Sequence, residues 1–117
     1  MNIQETAKAN RWDLEGTLRR FGGSLMMLER FLKKFPQDPT FGKLAEAAGN
    51  GDLPGIETAS HTLKGVAGNL GFTALYESCS SLVAAVRAGE TKEVGGLWET
   101  VQAEYQAVVS AIAQIEW

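Results

Sequence analysis

A chain of 117 residues with 44% apolar side chains is sized for one domain with one hydrophobic core. Its net charge of −3 lacks the basic excess of a general nucleic-acid binder, and its single cysteine, Cys79, excludes an internal disulfide. No apolar run is long enough for a membrane span, and Met1 to Glu5 lack the basic-then-apolar layout of a signal peptide, so the reducing cytoplasm is the expected compartment.

Apolar residues recur at three- and four-residue steps between glycine-marked boundaries, which predicts an all-α protein. Residues 3–10 predict a short helical lead-in. Asp13 is placed to cap a second short helix over 14–21, which carries Leu14, Leu18 and Phe21 and ends at Gly22-Gly23. Ser24 caps the next helix, whose stripe is Leu25, Leu28, Leu32 and Phe35. Met27 and Phe31 fall beside that stripe. They are expected to widen the core, the other reading being an exposed apolar patch for docking near the functional face.

Pro36 breaks or bends this helix. Asp38-Pro39 restarts a segment with Phe41, Leu44 and Ala48, which Gly49-Asn50-Gly51 ends. Asp52 caps a long helix that tolerates Pro54 in its first turn and stops at Gly71. Leu75, Cys79, Leu82 and Val86 stripe a helix over about 72–88, and Gly89 ends it. The last helix starts near Thr91 and carries Val94, Leu97, Val101, Tyr105, Val108, Ile112 and Ile115, with Gly95-Gly96 expected to kink or fray its start.

Four long amphipathic helices with short links imply an antiparallel four-helix bundle, with one or two short helices added at the N-terminus. Residues 1–117 read as one domain with a core bundle over about 24–116. Cys79 reads as a small buried hydrophobe, and Trp12, Trp98 and Trp117 as packing residues. Arg19, Arg20, Arg30, Lys33 and Lys34 read as a solvated basic face.

The chain has one histidine, His61, in the run Ser60-His61-Thr62-Leu63-Lys64-Gly65-Val66-Ala67-Gly68-Asn69-Leu70-Gly71. On a helix each residue turns by about 100°, which places Ile56, Ala59, Leu63, Val66, Ala67 and Leu70 on the far side, centred roughly 190° from His61. The histidine therefore points away from the core, among Glu57, Lys64, Gly65 and Gly68. Imidazole titrates near neutral pH, so much of it is neutral and nucleophilic and able to take a phosphoryl group. Lys64, three residues on, lies beside it on the helix surface with a mobile charge suited to phosphate oxygens. Glycine inside a helix costs about 1 kcal/mol relative to alanine. Side chains lean toward the helix N-terminus, so one at 65 or 68 would crowd His61. Both glycines are expected to admit a close visitor, the other reading being that they let a neighbouring helix pack tightly.

The complete string His-Thr-Leu-Lys-Gly-Val-Ala-Gly-Asn-Leu-Gly resembles the signature of histidine-containing phosphotransfer domains, the HPt modules of bacterial phosphorelays. The likeness extends to Leu18-Arg19-Arg20-Phe21-Gly22-Gly23, Phe35, Gly51-Asp52-Leu53, Cys79, Leu82 and Ala88-Gly89. Three positions depart from it: Val66 where many members carry serine, Phe72 where a small residue is common, and Val83 where many carry an acid. The last two bear on local packing and partner choice.

The resemblance implies that His61 accepts a phosphoryl group through Nε2 from a receiver-domain phosphoaspartate and passes it to another receiver. It also implies that Lys64 steadies the phosphoryl oxygens and that Gly65 and Gly68 admit the partner's loops. The implied partners are response-regulator receiver domains and a hybrid sensor histidine kinase. No kinase activity, nucleotide site or cofactor of the chain's own is implied, and Mg²⁺ belongs to the receiver. One histidine and one cysteine cannot make a protein-only structural zinc site. A free-standing monomer is expected. Two other readings stay open: a receiver-binding module without phosphotransfer, and the phosphoacceptor domain of a larger hybrid kinase.

Overall fold

The computed structural model describes residues 1–117. Its helices begin where the sequence supplies a side chain for the orphan amides. Asn2 and Glu5 form a reciprocal capping box on α1 (Ile3–Asn10). Asp13 accepts from Gly16 N at the start of α2 (Leu14–Arg20), and Ser24 accepts from Met27 N at the start of α3 (Leu25–Lys34). Pro36 then turns the chain through a single 3-10 turn, Phe35–Gln37, and Asp38 accepts from Thr40 N at the head of α4 (Thr40–Gly49). Asp52 caps α5 (Leu53–Leu70), which closes on Gly71 at φ +78°. After α6 (Thr73–Arg87), α7 (Thr91–Ala113) runs unbroken through Gly95-Gly96, so its start is not frayed there. No helix is long and apolar enough to cross a membrane.

The molecule is all-α, a helical bundle in which α5 packs against α4 and α6, and α6 against α7. Short links at Asn50–Asp52, Gly71–Phe72 and Ala88–Glu90 make successive helices antiparallel. The three N-terminal helices gather at the end where α5 stops. Asp13 N donates to Gly71 O at 2.8 Å, and Glu116 N donates to Met1 O at 2.8 Å. One cluster of buried side chains runs from Ile3 through Leu28, Leu44, Leu63 and Leu82 to Ile115.

Aromatic rings line up through this core. Trp98 stacks on Phe41 with ring centroids 5.5 Å apart, and Phe41 on Tyr105 at 3.8 Å. Phe35 follows at 5.6 Å from Tyr105, then Phe72 at 5.0 Å and Trp12 at 4.9 Å. Phe72, a departure from the family pattern, is 1% exposed and joins the N-terminal helices to the bundle in edge-to-face contacts. Val83 is likewise buried.

Three expectations change. Met27 and Phe31 do not widen the core: each is 42% exposed. The stripe of α3 is already complete in Leu28 and Leu32, and Phe31 instead stacks on Phe21 at 5.0 Å on the surface. Leu25, at the first turn of α3, is exposed as well. Trp117 is also exposed, and Lys33 lies over its ring at 4.9 Å.

Candidate functional site

The middle of α5 is sorted by helical periodicity. Ile56, Leu63, Ala67 and Leu70 are buried, while His61 is exposed on the opposite side. Ser60 is the one polar residue drawn inward here. Its hydroxyl donates to Ile56 O at 2.6 Å, so the buried oxygen is satisfied within its own helix. The His61 side chain makes no hydrogen bond and no ion pair. Neither imidazole nitrogen has a partner within the protein, and the residue is exposed.

The charged neighbours of His61 are held toward α6. Glu57 takes a hydrogen bond from Arg87 Nε at 3.2 Å, which ties the acid to the far end of that helix. Lys64 forms no ion pair; its Nζ lies 5.6 Å from the centre of the Tyr76 ring, at cation–π distance. No carboxylate pairs with the ammonium.

The two glycines separate. A Cβ built at Gly65 would meet nothing within 4 Å, so the surface beside His61 is open there. A Cβ at Gly68 would stand 3.2 Å from Tyr76 Cδ2. The close approach at Gly68 is thus made by a ring of the neighbouring helix, which is the tight-packing reading of this glycine. Tyr76 was not singled out from the sequence, although a signal was present. Gly68 and Tyr76 lie four positions either side of Phe72, and Glu57 and Arg87 lie fifteen either side. In an antiparallel helical hairpin turning at Gly71–Phe72, such residues face one another.

Arg20 is also recast. It is exposed, as a solvated cation would be, but it is not idle. Its Nη2 donates to Gly68 O at 2.9 Å and its Nε to Asn69 O at 3.1 Å. These are end carbonyls of α5, which have no partner within the helix. On the side toward α4, Thr58 and Thr62 border an open groove of about 590 Å³ that Lys43 and Glu46 line from across.

The arrangement offers one unencumbered nucleophile, one unpaired cation three residues on, and open space at Gly65. No three histidine, cysteine or carboxylate groups come together to hold a metal ion. The family model described as Hpt domain matches residues 26–111. No curated protein and no solved structure matches the chain.

Proposed function

The chain belongs to the Hpt domain family, the phosphocarrier modules of two-component phosphorelays, and from that premise we propose that His61 is its phosphoacceptor. Modules of this kind work with receiver domains and kinases and are not kinases themselves. The observation that carries the residue assignment is the isolation of the imidazole: it is exposed, unpaired and opposite the core stripe.

In the proposed step, the Nε2 lone pair of a neutral His61 attacks the phosphorus of a receiver phosphoaspartate. The new P–N bond forms as the P–O bond to the aspartyl carboxylate breaks, and the carboxylate leaves with the electron pair. The imidazole keeps its Nδ1 proton and takes the positive charge. Transfer onward is the reverse, with the carboxylate of a second receiver as nucleophile. Such a reaction rests on alignment and charge neutralisation more than on covalent chemistry by the protein. Lys64 supplies one cation to the phosphoryl oxygens. Mg²⁺, which the family resemblance places in the acidic pocket of the receiver, would supply further positive charge from the partner's side.

Gly65 leaves the surface flat where a receiver's loops must approach. Gly68 acts through Tyr76 rather than through open space. A single domain spanning 1–117 and working as a monomer is part of this proposal.

The test is incubation with a receiver domain charged with acetyl phosphate. A label stable in alkali, labile in acid and lost in His61→Gln is the expected result. The substitution replaces an exposed residue, so stability changes by no more than about 0.5 kcal/mol. Label persisting on His61→Gln would place the acceptor elsewhere. Receiver binding with no label on the unaltered chain would leave a docking module only.

A further inference from the structure

We propose that Tyr76 is a positioning residue for phosphoryl transfer, holding the Lys64 ammonium at the histidine-bearing face by a cation–π contact that Gly68 makes possible. The inference rests on the phosphoacceptor reading of His61.

Three observations meet at this point. Lys64 Nζ lies 5.6 Å from the Tyr76 ring centre and has no carboxylate partner. The Tyr76 ring stands so close to α5 that a methyl at position 68 would press on it at 3.2 Å. Tyr76 is 39% exposed although it lies on a helix whose Leu75, Cys79 and Leu82 fill the core. The ring therefore lies on the surface, against the backbone of α5, one turn beyond Lys64. A side chain at 68 would press on it, which gives this glycine a use in seating the ring.

The chemistry follows from the shape of an ammonium group. Its three N–H bonds point in different directions. One side can rest against the electron-rich face of an aromatic ring while the others donate to phosphoryl oxygens. A free lysine would sweep a wide arc and lose that freedom at the moment of transfer. A lysine already resting on Tyr76 has lost much of it beforehand, which is preorganisation of a charge where charge develops. A carboxylate could restrain Lys64 equally well but would neutralise it. The aromatic ring restrains it without doing so.

Two measurements test the idea, one of them independent of phosphotransfer. In the proton NMR spectrum, the Lys64 ε-methylene should be shielded by the ring in the unaltered chain and in Tyr76→Phe. It should return to an ordinary position in Tyr76→Leu. An unshielded Lys64 in the unaltered chain overturns the proposal.

The second measurement uses potassium phosphoramidate as phosphodonor, with no partner protein. The imidazole bonds to phosphorus as the P–N bond of the reagent breaks and ammonia leaves with a proton from solvent. Tyr76→Leu should slow labelling of His61 roughly two- to fivefold, the size of an exposed cation–π contact. Tyr76→Phe should retain the unaltered rate, and Lys64→Ala with Tyr76→Leu should be no slower than Lys64→Ala alone. Multiplicative effects in the double variant, a faster Tyr76→Leu, or a Tyr76→Phe as slow as Tyr76→Leu would each overturn the role through Lys64. Circular-dichroism melts of all the variants show whether any has lost its fold. Failure of the phosphoacceptor reading looks different, because the unaltered chain would then take no label or His61→Gln would keep it.

Discussion

His61, Lys64 and Gly65 share one helical face, but each stands in a different relation to the rest of the protein. The imidazole has no hydrogen bond or ion pair, Lys64 leans on a ring from the next helix, and Gly65 faces solvent. Their common exposure was legible in the sequence, because 3.6-residue periodicity alone turns position 61 away from Ile56, Leu63 and Ala67. The difference between Gly65 and Gly68 was not. Both lie on the outward side of one helix, and only the neighbouring helix tells them apart. A consequence follows for Gly65. Alanine there fits the open space and removes the helical penalty of glycine, so Gly65→Ala should gain about 1 kcal/mol in a urea melt. Its methyl leans toward the turn that carries His61. We therefore expect transfer from a receiver to fall even as stability rises, and Gly65→Leu to lose up to about a hundredfold, the scale of a misplaced reacting group. Faster or unchanged transfer in Gly65→Leu would remove the access role.

At the scale of elements, the α5–α6 hairpin is the part that matters for the site. Its register follows from the turn: Gly68 meets Tyr76 and Glu57 meets Arg87 because each pair is symmetric about Phe72. The turn in turn depends on Gly71. Its φ is +78°, and a Cβ there would come within 2.6 Å of Asp13 O and collide with Thr17 Oγ1. Asp13 N also donates to Gly71 O, so α2 is docked against the same turn. Gly71→Ala should therefore cost more than the roughly 1–2 kcal/mol of a left-handed residue alone, because α2 must also move. Urea unfolding measures this, and a loss below 1 kcal/mol would mean that the turn is not held as described. The stop signal at Gly71 was readable from sequence. Its second use, as floor for α2, was not, since nothing local to residues 70–72 indicates which segment returns to pack on them. The surface stack of Phe21 on Phe31 has the same origin: periodicity put Phe31 off its stripe, but only the fold of α2 against α3 supplied a partner outside the core.

Across the whole molecule, one core ties both ends of the chain together, and Cys79 lies fully inside it. Burial pushes its thiol up from 9.0 to about 12. The thiolate fraction at neutral pH is thereby lowered about a thousandfold, so a disulfide reagent should label Cys79 only after denaturation. The same shift has a sign for stability. Unfolded chain releases this proton as pH passes 9.0, whereas folded chain holds it until about 12. Stability from this group is complete below pH 9.0 and declines as pH rises toward 12. Tyr105, raised by burial and then by the charge of Asp38, acts in the same direction. Melting temperature should therefore fall from pH 8 to pH 10.5, and by less in Cys79→Ala; an equal fall in both would rule the thiol out. By itself the sequence determined the helices, their caps and stops, and the outward direction of His61, because these depend on side-chain periodicity and on amides within reach of a neighbouring residue. Only the tertiary structure decided that Tyr76 lies under Lys64, that Arg20 closes α5, and that Met27 and Phe31 stay outside. Those outcomes depend on which surfaces meet across the bundle, and contacts between residues far apart in the chain leave no period to read.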